Sequence, residues 1–150
     1  MIKFKLISFI ILILLWSFSD MKNQSVDVPK ISIKNSLSYE NISIALEENT
    51  LLNKINWLEW KEFPYQPEVS FRIAHDDSLL FLKYYIKEEH ILARRTDSNS
   101  AVHRDSCVEF FIDPLQDGNY YNFEFNCIGT THLAYGPGRG KRTFIPPELI

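Results

Sequence analysis

The sequence predicts an all-β domain, an antiparallel sandwich, on three observations. From Glu68 onward apolar and polar residues alternate with a period of two, clusters of Asp, Asn, Pro and Gly separate the alternating runs, and no stretch carries helical periodicity of convincing length. There is no fixed repeat and no low-complexity tract. The 150 residues, 45% hydrophobic and 14% aromatic, suit one globular domain with a real core. A net charge of −3, with basic residues clustered only at Arg94-Arg95 and from Arg139 to Arg142, lacks the footprint of a phosphate backbone, so nucleic acid is not an expected partner.

Residues 1–19 read as a signal peptide. Lys3 and Lys5 precede an uncharged apolar run from Leu6 to Phe18, shorter than the roughly 20 residues of a spanning helix, and Ser17 and Ser19 supply the small residues of a cleavage site. The expectation is an exported protein, in the periplasm, at the cell surface or secreted, with membrane contact only through this segment if it stays uncleaved. Residues 20–40 read as a polar leader, linker or edge strand, and residues 41–150 as the sandwich. In NKINWLEWKEFP, Trp57 and Trp60 read as an aromatic lid on the core or as a ligand platform.

EVSFRIAH places Val69, Phe71 and Ile73 on one face, HDDS supplies a turn, and LLFLKYYIKE aligns Leu80, Leu82, Tyr84 and Ile86. These make a hairpin. Ile91 to Arg95 reads as a short continuation. TDSNSAVHRD, Thr96 to Asp105, is a polar loop of the kind that carries recognition on rigid β scaffolds. A second hairpin joins CVEFFI to YYNFEFNC through DPLQDGN, with its Asp117-Gly118 turn signal. A single bulge is expected to align Val108, Phe110 and Ile112 with Phe123 and Phe125, which groups Glu109 with Glu124 and Asn126 on a solvent-facing polar side. GPGRGKRTFIPPELI then stops after one loop. With about five or six strands where a closed sandwich has seven or more, the domain reads as truncated at its C-terminal side.

Two carboxylates and an amide on one sheet face suit hydroxyl-rich ligands, because carboxylate oxygens accept from hydroxyls while an amide both donates and accepts. Tyr120, Tyr121 and Tyr135 are the nearby rings that could line a sugar, and solvation beside Arg94, Arg95 or Arg139 is the plain alternative for the two glutamates. Cross-strand Glu109 and Glu124 would also meet the spacing of about 5 Å found in retaining glycosidases, a weak signal that any pair of acids on neighbouring strands would give. Loop aspartates leave calcium open, although no spacing resembles an EF-hand. The four histidines lack zinc spacing, GPGRGK lacks that of a phosphate loop, and no nucleophile motif is present, so no catalytic residue is expected. Cys107 and Cys127 could pair in an oxidising compartment or remain two half-buried thiols.

PEVSFRIAHDDSLLFLKYYI, DSCVEFFIDP and YYNFEFNCIGT together resemble the family 9 carbohydrate-binding modules, in particular the family-9-like domains of exported bacterial proteins, which are DOMON-like β-sandwiches. The resemblance runs roughly from Trp57 to Pro147, and VEFFIDP and YYNFEFNCIGT are its most specific parts. It implies sugar binding between tryptophans, with Glu109 matching the hydroxyl-binding glutamate and Asn126 a polar position on the next strand. Two departures stand out. Val102-His103 replaces a stacking tryptophan, and Glu124 replaces an arginine aimed at the sugar. Other DOMON-like proteins bind haem through Met and His, but Met1 and Met21 both lie outside the domain, so haem is not expected.

The resulting expectation is an exported, non-catalytic carbohydrate-binding sandwich serving polysaccharide capture or catabolism. Its ligand is a polysaccharide or oligosaccharide held by Glu109, Glu124 and Asn126, with His103 or Tyr121 as a wall. A protein-interaction sandwich and a glycoside hydrolase are the alternatives.

Overall fold

The computed structural model describes residues 25–34, 36–58 and 62–150. The expected signal peptide, the start of the leader and Trp60 lie outside the described residues. The elements in chain order are helix α1 (Tyr39–Asn49), strands β1 (Asn53–Ile55), β2 (Glu68–His75) and β3 (Leu80–Lys87), a 3-10 turn (Val102–Arg104), strands β4 (Cys107–Ile112), β5 (Tyr120–Asn126), β6 (Thr131–Gly136) and β7 (Thr143–Phe144), and a final 3-10 turn (Pro147–Leu149). The strands form a three-stranded sheet, β1-β2-β3, and a four-stranded sheet, β4-β5-β6-β7. Seven strands are therefore found among the described residues, rather than five or six: β1, β6 and β7 are added to the two expected hairpins, while the expected edge strand before residue 40 and Ile91 to Arg95 are not strands.

The chain divides into two units, one of the residues up to Asn53 with Ile73–Phe81, the other of Lys54–Arg72 with Leu82–Ile150. The first holds α1, a helix that the period-two reading overlooks. Ser38 caps it, its hydroxyl accepting from the Asn41 N–H at 3.2 Å, and the Thr50 N–H closes it on the Leu46 carbonyl. Ile42, Ala45 and Leu46, spaced for one helix face, pack with Ile31, Ile33, Ala74 and Phe81 into this unit's core. The expected edge strand near residue 30 is reduced to one parallel bridge, Lys30 with His75. At the tip of the first hairpin, Asp76 Oδ1 accepts from the Ser78 and Leu79 N–H groups, which holds the turn.

The second unit contains all of the four-stranded sheet of the antiparallel β-sandwich and most of β2 and β3. Its β4-β5 hairpin pairs Val108 with Phe125, Glu109 with Glu124, Phe110 with Phe123 and Ile112 with Tyr121. The expected grouping of Glu109 with Glu124 holds, but no bulge produces it. The connection from Asp113 to Tyr120 has an even number of residues, so odd positions of β4 meet even positions of β5 in an unbroken ladder. Asp113 Oδ2 and Asp117 Oδ1 fix that connection by accepting from the Gly118 and Asn119 N–H groups. Tyr84 of β3 reaches the other sheet, its hydroxyl donating to the Glu109 carbonyl at 3.3 Å. Ile91 to Arg95 is not a strand, because its backbone is engaged by the segment leading into β4: the Leu92 N–H donates to Ser106 Oγ, and the Arg94 and Arg95 N–H groups to Asp105 Oδ2. Trp57 is exposed, so it does not serve as a lid on the core.

Candidate functional site

Strand alternation and register put Glu109 and Phe111 of β4, Tyr120, Asn122, Glu124 and Asn126 of β5, His132 and Ala134 of β6, and Phe144 of β7 on one face of the second sheet. Glu109, Glu124 and His132 are register partners in one row across three strands. The sequence leaves this polar face to solvent. The structure instead buries it, with Asn122 1%, Glu124 6%, Asn126 5% and His132 8% exposed, while Glu109 remains exposed. What covers it is the polar loop before β4: Val102 is fully buried, its 3-10 turn packs on β4 and β5, and His103 Nδ1 comes to 3.7 Å from Glu124 Oε2.

Side chains that act as backbone surrogates anchor this loop. Asp105 Oδ2 accepts from the Arg94 and Arg95 N–H groups and from Asn126 Nδ2, and Asn99 donates to the Ile145 carbonyl while accepting from the Leu133 N–H. Burial raises the Asp105 pKa, but the Arg95 N–H, Asn126 and the Arg94 N–H outweigh it and leave the carboxyl below its ordinary value. Asn126 is fully committed. Its Nδ2 donates to Asp105 and to the Arg95 carbonyl, and its Oδ1 accepts from the Ile128 and Thr130 N–H groups. An amide has four such bonds to make, so Asn126 has none left for a sugar, and its expected ligand role becomes a structural one.

The floor beside it is different. Asn122 Nδ2 donates to Glu124 Oε1 at 2.9 Å, yet Asn122 Oδ1, Glu124 Oε2, His132 Nδ1 and, at the rim, Arg142 Nη1 are buried without a hydrogen-bond partner among the described residues. Buried polar atoms are almost always satisfied, so such a cluster on one face marks a place prepared for something else. Burial and then the Glu124 carboxylate opposite push the Glu109 carboxyl above its ordinary value, and Arg139, His103 and Arg142 pull it back. Gly136 makes room for the last of these. A Cβ there would lie 2.7 Å from the Lys141 carbonyl oxygen and 3.0 Å from Arg142 Cα, and its φ of +150° disfavours any other residue.

Aromatic rings stand around this floor, though not the expected one. Tyr121 lies on the opposite face, its ring 4.6 Å from Tyr135 and 6.3 Å from Phe123. Tyr120 takes the place on the polar side, edge-on to Phe111 at 5.7 Å and beneath the Arg142 guanidinium, while Phe144 stands edge-on to His132 at 5.0 Å. Of the five expected residues, Glu109, Glu124, Asn126 and His103 come together and Tyr121 does not. Tyr120 was among the rings the sequence offered; Asn122, His132 and Arg142 were missed, although alternation from Glu124 would have placed Asn122.

Two clefts, of about 460 and 480 Å³, lie outside this floor; the second runs between Val69, Ile86 and Ile91 on one side and Val108 and Phe125 on the other. Both cysteines are free, and burial followed by Glu124 and Glu109 pushes the Cys107 thiol up to about 12. Among the described residues no three acidic, His or Cys side chains gather to hold a metal ion, and Asp76, Asp105, Asp113 and Asp117 accept turn or loop hydrogen bonds.

Residues 40–150 match the family described as carbohydrate-binding family 9. The chain belongs to that family. The family 9 domain is also similar to a candidate carbohydrate-binding protein from Bacteroides uniformis ATCC 8492, known from its crystal structure, with a TM-score of 0.79 and 36% identity. The similarity covers 84% of this chain and 58% of that protein, so the family 9 domain spans less than two thirds of its neighbour's length. No curated protein matches the chain.

Proposed function

We propose that this family 9 domain is exported and binds a sugar of a polysaccharide or oligosaccharide on the polar floor of β4-β5-β6 without catalysis, in polysaccharide capture or catabolism. The observation that carries the reading is the group of buried, unpartnered polar atoms on Asn122, Glu124 and His132, ringed by Phe111, Tyr120 and Phe144. Sugar hydroxyls supply donors and acceptors to such atoms, and flat aromatic rings suit the apolar faces of a pyranose. Glu109 and His103 serve at the rim, and Asn126 holds the loop that carries His103. Export rests on the N-terminal lysines and the apolar run Leu6 to Phe18.

A glycan array probed with the full-length protein and its Glu109→Ala variant, both checked by near-ultraviolet circular dichroism, tests the binding. The expected result is binding that weakens by about 1 to 3 kcal/mol in the variant, through loss of a hydroxyl partner. A well-folded protein that binds no glycan would remove the reading and favour a protein partner on the apolar cleft of Val69, Ile86 and Ile91. Turnover of a bound oligosaccharide that ceases in Glu109→Gln would make the domain a hydrolase instead. N-terminal sequencing of exported material checks cleavage near Ser19.

A further inference from the structure

The unpartnered atoms of the floor differ in chemistry, and the difference selects a ligand. Glu124 Oε2 and Asn122 Oδ1 are both acceptors, and both belong to side chains more than nine-tenths buried. Asn122 spends one donor on the other Glu124 oxygen, and the buried atoms of the pair left unanswered are both acceptors. The charges are unevenly answered as well. Arg139, His103 and Arg142 all act on Glu109. The described ion-pair partner of the more buried Glu124 is His103, at 3.7 Å and with half of its side chain exposed. Two carboxylates thus face one another across neighbouring strands, an arrangement that destabilises a sheet, and among the described residues the inner one has no close, hydrogen-bonded cation. Arg142 Nη1 is the complementary feature, a buried donor at the rim waiting for an oxygen.

We propose that the floor takes an amino sugar, its protonated amine donating to Glu124 Oε2 and Asn122 Oδ1 and a hydroxyl or ring oxygen accepting from Arg142. This deepens the sugar-binding reading and rests on it. An ammonium group provides donors and the missing positive charge together, and charge-assisted hydrogen bonds are stronger than neutral ones. A simple amine lacks the oxygen for Arg142, and an acidic sugar would add a third negative charge.

The test compares three tetrasaccharides, β-1,4-linked glucosamine, its N-acetylated counterpart and the corresponding glucose tetramer, by calorimetry on the full-length protein at about pH 6, where an amine is protonated. The glucosamine tetramer is expected to bind roughly tenfold tighter than the other two, the difference between a charge-assisted and a neutral hydrogen bond. That preference should disappear in Glu124→Gln and survive in Glu48→Gln, which removes one negative charge from α1. Should Glu124→Gln fail to fold, Glu109→Gln, at an exposed position, should still reduce the preference. Equal or tighter binding of the neutral tetramers overturns the amine assignment while the sugar site stands. A preference that persists in both site variants overturns it too, by tracing it to the net charge of −3. Binding of none of the three by folded protein, together with an empty glycan array, removes both proposals.

Discussion

The two faces of the β4-β5-β6 sheet are made by the same strands and built on opposite principles. On one, Phe110, Tyr121, Phe123 and Phe125 pack ring against ring, with Phe110 tilted to Phe123 at 6.3 Å and Phe123 stacked on Phe125 at 6.0 Å, although each is only half-buried. On the other, Asn122, Glu124 and His132 are almost fully buried and keep polar atoms without partners. The apolar face stabilises the sheet through contacts that need no exact orientation. The polar face costs stability unless something meets its lone pairs, and proteins accept such a cost where they bind.

Phe123→Ala should give the largest change, about 3 kcal/mol lost in urea unfolding from removal of a well-contacted ring, with sugar affinity of the folded fraction unaltered. Loss of affinity as well would mean that the faces are not independent. Asn126→Ala comes next, at about 2 kcal/mol, since it leaves the Thr130 N–H and part of Asp105 without partners. Hydrogen exchange should then rise between Arg94 and Ser106 and remain unchanged in α1.

Smaller effects separate the faces by pH. The Glu109 pKa is raised in the fold, so the folded state binds the extra proton and stability falls as pH rises from the ordinary carboxylate value through the raised one. Glu109→Gln should therefore gain on the wild type near neutrality and lose that advantage in acid, as thermal unfolding at several pH values would reveal. Asp105 runs the other way. Its depressed value contributes stability above the ordinary carboxylate pKa, lost as pH falls through the depressed one, and exchange protection of its loop should fade in acid. The smallest effect is chemical: an alkylating reagent near pH 8 should label exposed Cys127 and spare Cys107, whose thiol stays protonated to about 12. Equal labelling would show that the polar face opens in solution.

Much of this was legible in the residues. Period-two alternation located β2 to β5 because such strands write their two faces directly into sequence. It grouped Glu109 with Glu124 only through an expected bulge, because it could not supply the register, which the even length of the Asp113 to Tyr120 connection sets. Burial was beyond it, since Glu124 is buried by Val102 and His103 from a loop whose path depends on Asp105, Asn126 and Asn99. The same tertiary bonds consume Asn126, so its residue type suggested a ligand contact that its surroundings forbid. Helix α1 was missed because Asn, Ser and Ile residues weaken its local propensity, and its packing against Ile31, Ala74 and Phe81 decides the conformation.

The clamp built by Asn126 and Asp105 has one further consequence. Fixing a residue's backbone costs about 1 to 2 kcal/mol of conformational entropy. Because hydrogen bonds already tie the segment from Leu92 to Ser106 to the β5-β6 turn and to Ile145, that ordering belongs to folding and not to the encounter with a ligand. A rim of this kind meets a ligand with its backbone already ordered. Ligands that differ in affinity for it should differ mainly in how fast they leave.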